Sequence, residues 1–205
     1  MSVFSASRRL GLRLAAAAAV TVLTATLAAC GESAPTFKGS DISGTQLGRG
    51  MELTDTNGKT RQLSDFAGKV VVVFFGFTQC PDVCPTSLAE LTEVMKKLGP
   101  DADRVQVLLI TVDPERDTQE VLKQYVSAFD PRFLGLTGTP DQIKKAAASF
   151  KAYYAKAPTK DGSNYTMDHT AAFYLLDGKG ESRVLANNNL GVDALTHDIQ
   201  ALLKG

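Results

Sequence analysis

The sequence predicts an α/β domain with a mixed central sheet flanked by helices and led by a β-hairpin. Two nearly continuous apolar runs, VVVVFFGF at 70–77 and VQVLLITV at 105–112, are dense in β-branched and aromatic residues, as strands buried on both faces require. Around them lie segments whose apolar residues recur at three- and four-residue spacing, the period of helices packed on a sheet. Asn57-Gly58 and Asp177-Gly178-Lys179-Gly180 each separate short β-prone segments, which adds antiparallel hairpins to the core strands.

In chain order, 51–53 and 60–63 flank Asn57-Gly58, whose tolerance of positive φ favours a tight hairpin. The strand at 70–77 follows. Residues 85–98 read as a helix, with Leu88, Leu91, Met95 and Leu98 on one face, Pro85 in the first turn and Gly99-Pro100 as the stop. The strand at 105–112 comes next. Asp117-Thr118 opens a helix to residue 129, 133–136 form a short strand, and Pro140 precedes a helix over 141–150. Residues 165–176 read as one strand, turned at 177–180 into its return at 182–186, and 192–203 close the domain as an amphipathic helix. There is no internal repeat.

Composition bounds the function. The chain is 44% hydrophobic and 21% charged, ordinary for a globular domain with one sizeable core. Arg8, Arg9 and Arg13 precede an uncharged Ala-rich run over 14–29, too short and weakly apolar for a stable membrane span, so 1–29 read as a signal peptide. The run ends in Leu27-Ala28-Ala29-Cys30, which looks like a bacterial lipobox with Cys30 as the lipidated residue. The chain has 22 basic and 22 acidic residues; losing those three arginines leaves 19 against 22, a net charge of −3. A mildly acidic body without a basic run excludes nucleic acid as a partner. Residues 30–50, rich in Gly, Ser and Thr, read as the lipidated Cys and a flexible tether, and 51–205 as the folded domain.

Only Cys80 and Cys84 then remain for the mature fold, too few for a disulfide framework outside the cytoplasm. They lie in Phe75-Gly76-Phe77-Thr78-Gln79-Cys80-Pro81-Asp82-Val83-Cys84-Pro85, where a buried strand hands over to a helix. Thiols at a helix N-terminus feel its partial positive charge, which lowers their pKa and supplies the thiolate that binds metal or attacks a disulfide. Four residues apart on a helical turn, their Cβ atoms would be about 5 to 6 Å apart, close enough to share one metal ion. Of two histidines, His169 stands at the start of an apolar segment, whereas His197 lies mid-helix among Asp193, Asp198 and Gln200 and reads as solvated. A lone histidine is more often structural than a ligand, yet two thiolates and an imidazole make a trigonal set that suits Cu(I), with room for an oxygen ligand in Cu(II).

Four separated blocks closely resemble the Sco/SenC family: Gly76-Phe77-Thr78-Gln79-Cys80-Pro81-Asp82-Val83-Cys84-Pro85-Thr86, Val112-Asp113-Pro114-Glu115-Arg116-Asp117-Thr118, Pro131-Arg132-Phe133-Leu134-Gly135-Leu136-Thr137-Gly138-Thr139 and Asp168-His169-Thr170. The resemblance runs from about residue 51 to the C-terminus. It implies a thioredoxin-like fold with an added hairpin, copper bound as Cu(I) or Cu(II) by Cys80, Cys84 and His169, and a role in building the binuclear copper centre of cytochrome c oxidase subunit II. Thr170 stands where many relatives have Ser, a conservative departure. By resemblance Asp113 lies near the site, where it either orients His169 as an outer hydrogen-bond acceptor or only shapes a turn with Pro114. Met167, two before His169, packs in the core or touches Cu(I) transiently, and Asp82 reads as a solvated loop acid.

Three function classes use these residues. A copper metallochaperone needs His169; a thiol-disulfide oxidoreductase acting on the oxidase's copper-ligand cysteines needs Cys80 and Cys84 as redox thiols; a peroxidase would need one low-pKa Cys and gives His169 no role. The expected partners are subunit II, other periplasmic copper carriers or thiol reductants, and a bacterial membrane facing the periplasm or cell exterior, reached through the Cys30 lipid. Cys30→Ala should therefore block processing or release the protein from membranes. Normal processing with full membrane retention at high salt would refute the lipid anchor.

Overall fold

The computed structural model describes residues 36–159 and 162–205, so the expected signal peptide and lipidation site at Cys30 lie outside the described residues. The described strands are β1 (Ser40–Asp41), β2 (Leu53–Asp55), β3 (Thr60–Arg61), β4 (Val70–Gly76), β5 (Val105–Thr111), β6 (Leu134–Thr137), β7 (Tyr154–Pro158), β8 (Tyr165–His169), β9 (Ala172–Leu176) and β10 (Ser182–Asn187). The α-helices are α1 (Val83–Leu98), α2 (Gln119–Ser127), α3 (Pro140–Ser149) and α4 (Val192–Lys204).

The apolar strand β4 is buried at every position and lies inside the main sheet, whose order is β1-β10-β9-β4-β5-β6-β2-β3. It pairs in parallel with β5, Val72 opposite Val107, and antiparallel with β9, Val72 opposite Leu175. The sheet is therefore mixed, and helices cover both faces, as the sequence predicts. Successive β4 side chains point to opposite faces. Phe75 meets Phe150 at the end of α3, while Gly76 faces Cys84 on α1, which in turn packs against α4.

Local chemistry accounts for the helix ends. Pro85 is the third residue of α1, among the first-turn positions whose N–H has no intrahelical acceptor, and Gly99 closes the helix at φ +56°. Thr118 caps α2 by accepting from the Val121 N–H at 3.3 Å. Thr139 and Gln142 cap α3 reciprocally at 2.9 and 3.3 Å.

The structure departs from the sequence reading in three places. The strand expected over 165–176 is two strands in different sheets. β8 pairs with β7, His169 opposite Tyr154, and the chain then crosses at Thr170 and Ala171 into β9 of the main sheet. Thr170 staples the crossing: its N–H donates to the Tyr153 carbonyl and its Oγ1 accepts from the Tyr153 N–H, both at 2.9 Å. β9 is buried throughout, whereas in β8 only Met167 is, so the burial pattern itself changes at the break. β7 itself, sequence YAKAP, has too little β-branched character to stand out.

The third departure is residues 36–50, read as tether but laid along the domain. Strand β1 pairs with β10, Leu47 is buried, and the buried carboxylate of Asp198 accepts from the Lys38 and Gly39 N–H groups at 2.8 Å each. Gly39 and Gly48 serve close approach: a Cβ on Gly39 would come 2.6 Å from Val184, and one on Gly48 2.4 Å from Phe150. Asp198→Ala should free this segment. Denaturant unfolding should show a loss of about 1–3 kcal/mol, the cost of stranding buried donors, and amide exchange should rise first at 38–42.

Candidate metal centre

β4 ends at Gly76, and residues 77–82 turn the chain into α1, so Cys80 lies in the loop and Cys84 is the second helical residue. Cys84 is fully buried and Cys80 partly exposed. The Cys84 N–H donates to Cys80 Sγ at 3.4 Å, so the Cys80 sulfur serves a helix end that Asp82, the N-cap residue, leaves without a side-chain bond. Cys84 Sγ sits against Gly76, where a Cβ would come within 2.9 Å of it. The loop is pinned at Thr78, whose N–H and Oγ1 donate to Asp117 at 3.1 and 2.5 Å; Asp117 also accepts from Thr111 Oγ1 at 2.6 Å.

The expected helical-turn pairing of the thiols is thus replaced by a loop cysteine and a helix cysteine. The expected lowering of thiol pKa is reversed at Cys84: burial pushes it up, reinforced by Cys80 and Asp117 and opposed by a hydrogen bond from the Phe77 backbone. Desolvation outweighs the helix end because the sulfur lies in the core.

His169 ends β8 and faces the thiols. Its Nε2 is 3.5 Å from Cys84 Sγ, and the donor atoms of Cys80, Cys84 and His169 all lie within 4.8 Å of one another. Its Nδ1 is 3.2 Å from the Thr170 carbonyl, which can only accept, so Nδ1 carries the hydrogen and the Nε2 lone pair points at the sulfurs. The rings of Phe74 and Phe77 meet the imidazole edge-on at 6.0 and 5.9 Å. Burial lowers its pKa, against the Thr170 carbonyl and the Asp168 charge, which keeps the ring neutral and able to ligate. The exposed side opens into a cleft of about 470 Å³ lined by Phe77, Cys80, Pro81, Tyr153, Met167 and His169, with Tyr153 62% exposed at its rim.

The other sequence candidates are not among the three converging donors, although Met167 and Asp82 line the cleft. Asp113 is buried but does not touch His169; it binds the Arg116 Nε and accepts from Tyr165 Oη at 3.0 Å. Met167 is buried in the core and only borders the cleft, Asp82 is solvent-exposed, and His197 donates to Asp198 on α4. Sequence reasoning gave no site role to Gly76, Asp117 or Arg116. For Asp117 a signal existed: Thr118 alone caps α2, so the acid before it is surplus to capping.

The SCO1/SenC family model matches residues 40–204. The chain belongs to the SCO1/SenC family. The mouse mitochondrial protein SCO2 homolog is 43% identical over 137 residues, covering 65% of this chain and 54% of that one, so the match spans about half the length of that relative. Among solved structures, Bradyrhizobium japonicum ScoI with copper bound is 43% identical at a TM-score of 0.69, covering 80% of this chain and 99% of that one. BsSco, described as a member of the Sco family of cytochrome c oxidase assembly proteins with a disulfide switch, is 25% identical at a TM-score of 0.63, covering 82% and 98%. The thioredoxin-like fold of this family is the one seen here. In this Sco domain the two thiols differ in access, Cys80 partly exposed and Cys84 buried. Limited iodoacetamide on the reduced, metal-free protein at neutral pH should label Cys80 well before Cys84, as peptide mass mapping can check; equal rates would contradict the packing of Cys84.

Proposed function

We propose that the protein is a copper carrier: Cys80, Cys84 and His169 hold one copper ion for delivery to subunit II of cytochrome c oxidase during its assembly. The convergence of two sulfurs and one free imidazole nitrogen within 4.8 Å carries this reading. That donor set is soft enough for Cu(I), and its nitrogen and the open cleft suit Cu(II) as well. Membership of a family that includes a copper-bound ScoI and an oxidase assembly protein supports it.

Each residue has a part. Cys84 is a thiol in the free protein and must lose its proton when metal arrives, so loading releases protons and favours higher pH. His169 needs no proton loss, since the Thr170 carbonyl already fixes the ligating tautomer. Phe74 and Phe77 exclude water from the inner side, and partly exposed Cys80 is the sulfur an incoming ligand of the partner reaches first. Arrival through other periplasmic copper carriers, maintenance by thiol reductants, and anchoring outside the cytoplasm by the Cys30 lipid complete the proposal. Among the described residues no helix is long and apolar enough to cross a membrane.

The competing role, reduction of the oxidase cysteines by the same thiols, is favoured by the partial exposure of Cys80 beside a second free thiol. His169→Ala separates the two. It should weaken Cu(I), abolish most Cu(II) binding, and remove oxidase activity at limiting copper, while disulfide exchange with a model peptide stays near wild type. Normal oxidase assembly in His169→Ala, combined with its loss in Cys84→Ser, would establish the reductase instead.

A further inference from the structure

His169 stands on an element outside the main sheet. Among the described residues β7 and β8 pair only with each other, and an isolated two-stranded hairpin is marginal in water. At the His169 end the hairpin is tied through Thr170 and Tyr153. Its far end, at Tyr165, meets the loop that follows β5, and there one side chain reaches three segments.

Arg116 pairs through Nε with Asp113 in its own loop. Its Nη1 donates to Gln79 Oε1 at 3.1 Å, next to Cys80, and to the Tyr165 carbonyl at 3.0 Å, on the hairpin. The guanidinium lies 3.8 Å from the Tyr165 ring centre and 5.9 Å from that of Phe77, and Asp113 closes the loop by accepting from Tyr165 Oη at 3.0 Å. A neighbouring pair repeats the tie: Lys156 of β7 bonds Glu115 at 2.7 Å and lies 4.5 Å from the same Tyr165 ring. We propose that Arg116 is a positioning residue that sets the separation of His169 from the thiols by clamping the histidine hairpin to the cysteine loop. Arginine suits the task, since its planar fork can bond two acceptors while stacking on a ring. As a statement about copper, the inference rests on the ligand set proposed above.

The test has a metal-free arm and a copper arm, both on the full-length protein. In the reduced, metal-free chain, Arg116→Ala should speed amide exchange in Tyr165–His169 about tenfold or more, as expected on losing charge-assisted hydrogen bonds, with Ala172–Leu176 unchanged. In the copper arm, Cu(II) affinity should fall roughly 10- to 100-fold, the usual effect of removing an outer support of a ligand, and imidazole nitrogen coupling in the Cu(II) paramagnetic resonance spectrum should weaken. Arg116→Ala combined with His169→Ala should bind no more weakly than His169→Ala alone. Unchanged hairpin exchange, or exchange raised equally in β9, would overturn the clamp, as would an Arg116→Ala penalty that persists without His169. Should Arg116→Ala fail to fold, Arg116→Lys decides the same exchange comparison, because lysine keeps the charge without the fork. A wild-type chain that binds no copper would defeat the carrier reading, yet the exchange arm would still judge Arg116.

Discussion

The contact on which the site depends is the seating of the Cys84 sulfur against Gly76, at the end of a strand buried at every position. Only a residue without a side chain lets α1 approach the strand end so closely. That approach brings the first turn of the helix under the 77–82 loop and makes Cys80 a partner of the Cys84 N–H. A tightly packed interior transmits such a constraint because it has no slack to absorb a shift.

The same burial governs the chemistry. A sulfur in the core is costly to ionise, so Cys84 is a neutral thiol in the free protein, and the neutral imidazole beside it follows the same rule with opposite sign. The charges near the site are placed to hold the chain. Asp117, itself pushed up by burial, ties Thr78 to Thr111, and Asp113 holds Arg116 and Tyr165. Two acids within one short loop thus fasten the cysteine loop, which leaves the main sheet at β4, and the histidine hairpin, which forms a separate sheet.

Such a division of labour suits a carrier. Cys84 lies in the core, Cys80 is partly exposed on a loop, and His169 stands on a hairpin that side-chain ties secure.

Much of this was legible in the residues themselves. The apolar runs at 70–77 and 105–112, the Asn57-Gly58 turn, the helix periods and the Gly99 stop are local patterns, and local patterns determine elements because spacing alone decides which face is buried. Cys80, Cys84 and His169 were identifiable as candidates from residue type and from the resemblance of their flanking motifs. Tertiary structure alone decided the break at Thr170, since an apolar pattern is the same whether its two halves lie in one sheet or two. It alone showed that Gly39 and Gly48 make room for packing, that burial overrides the helix end at Cys84, and that Asp113 serves Arg116 and not His169. Each of these turns on which distant segment lies a few ångströms away, and sequence spacing carries no information about that distance until the chain has folded.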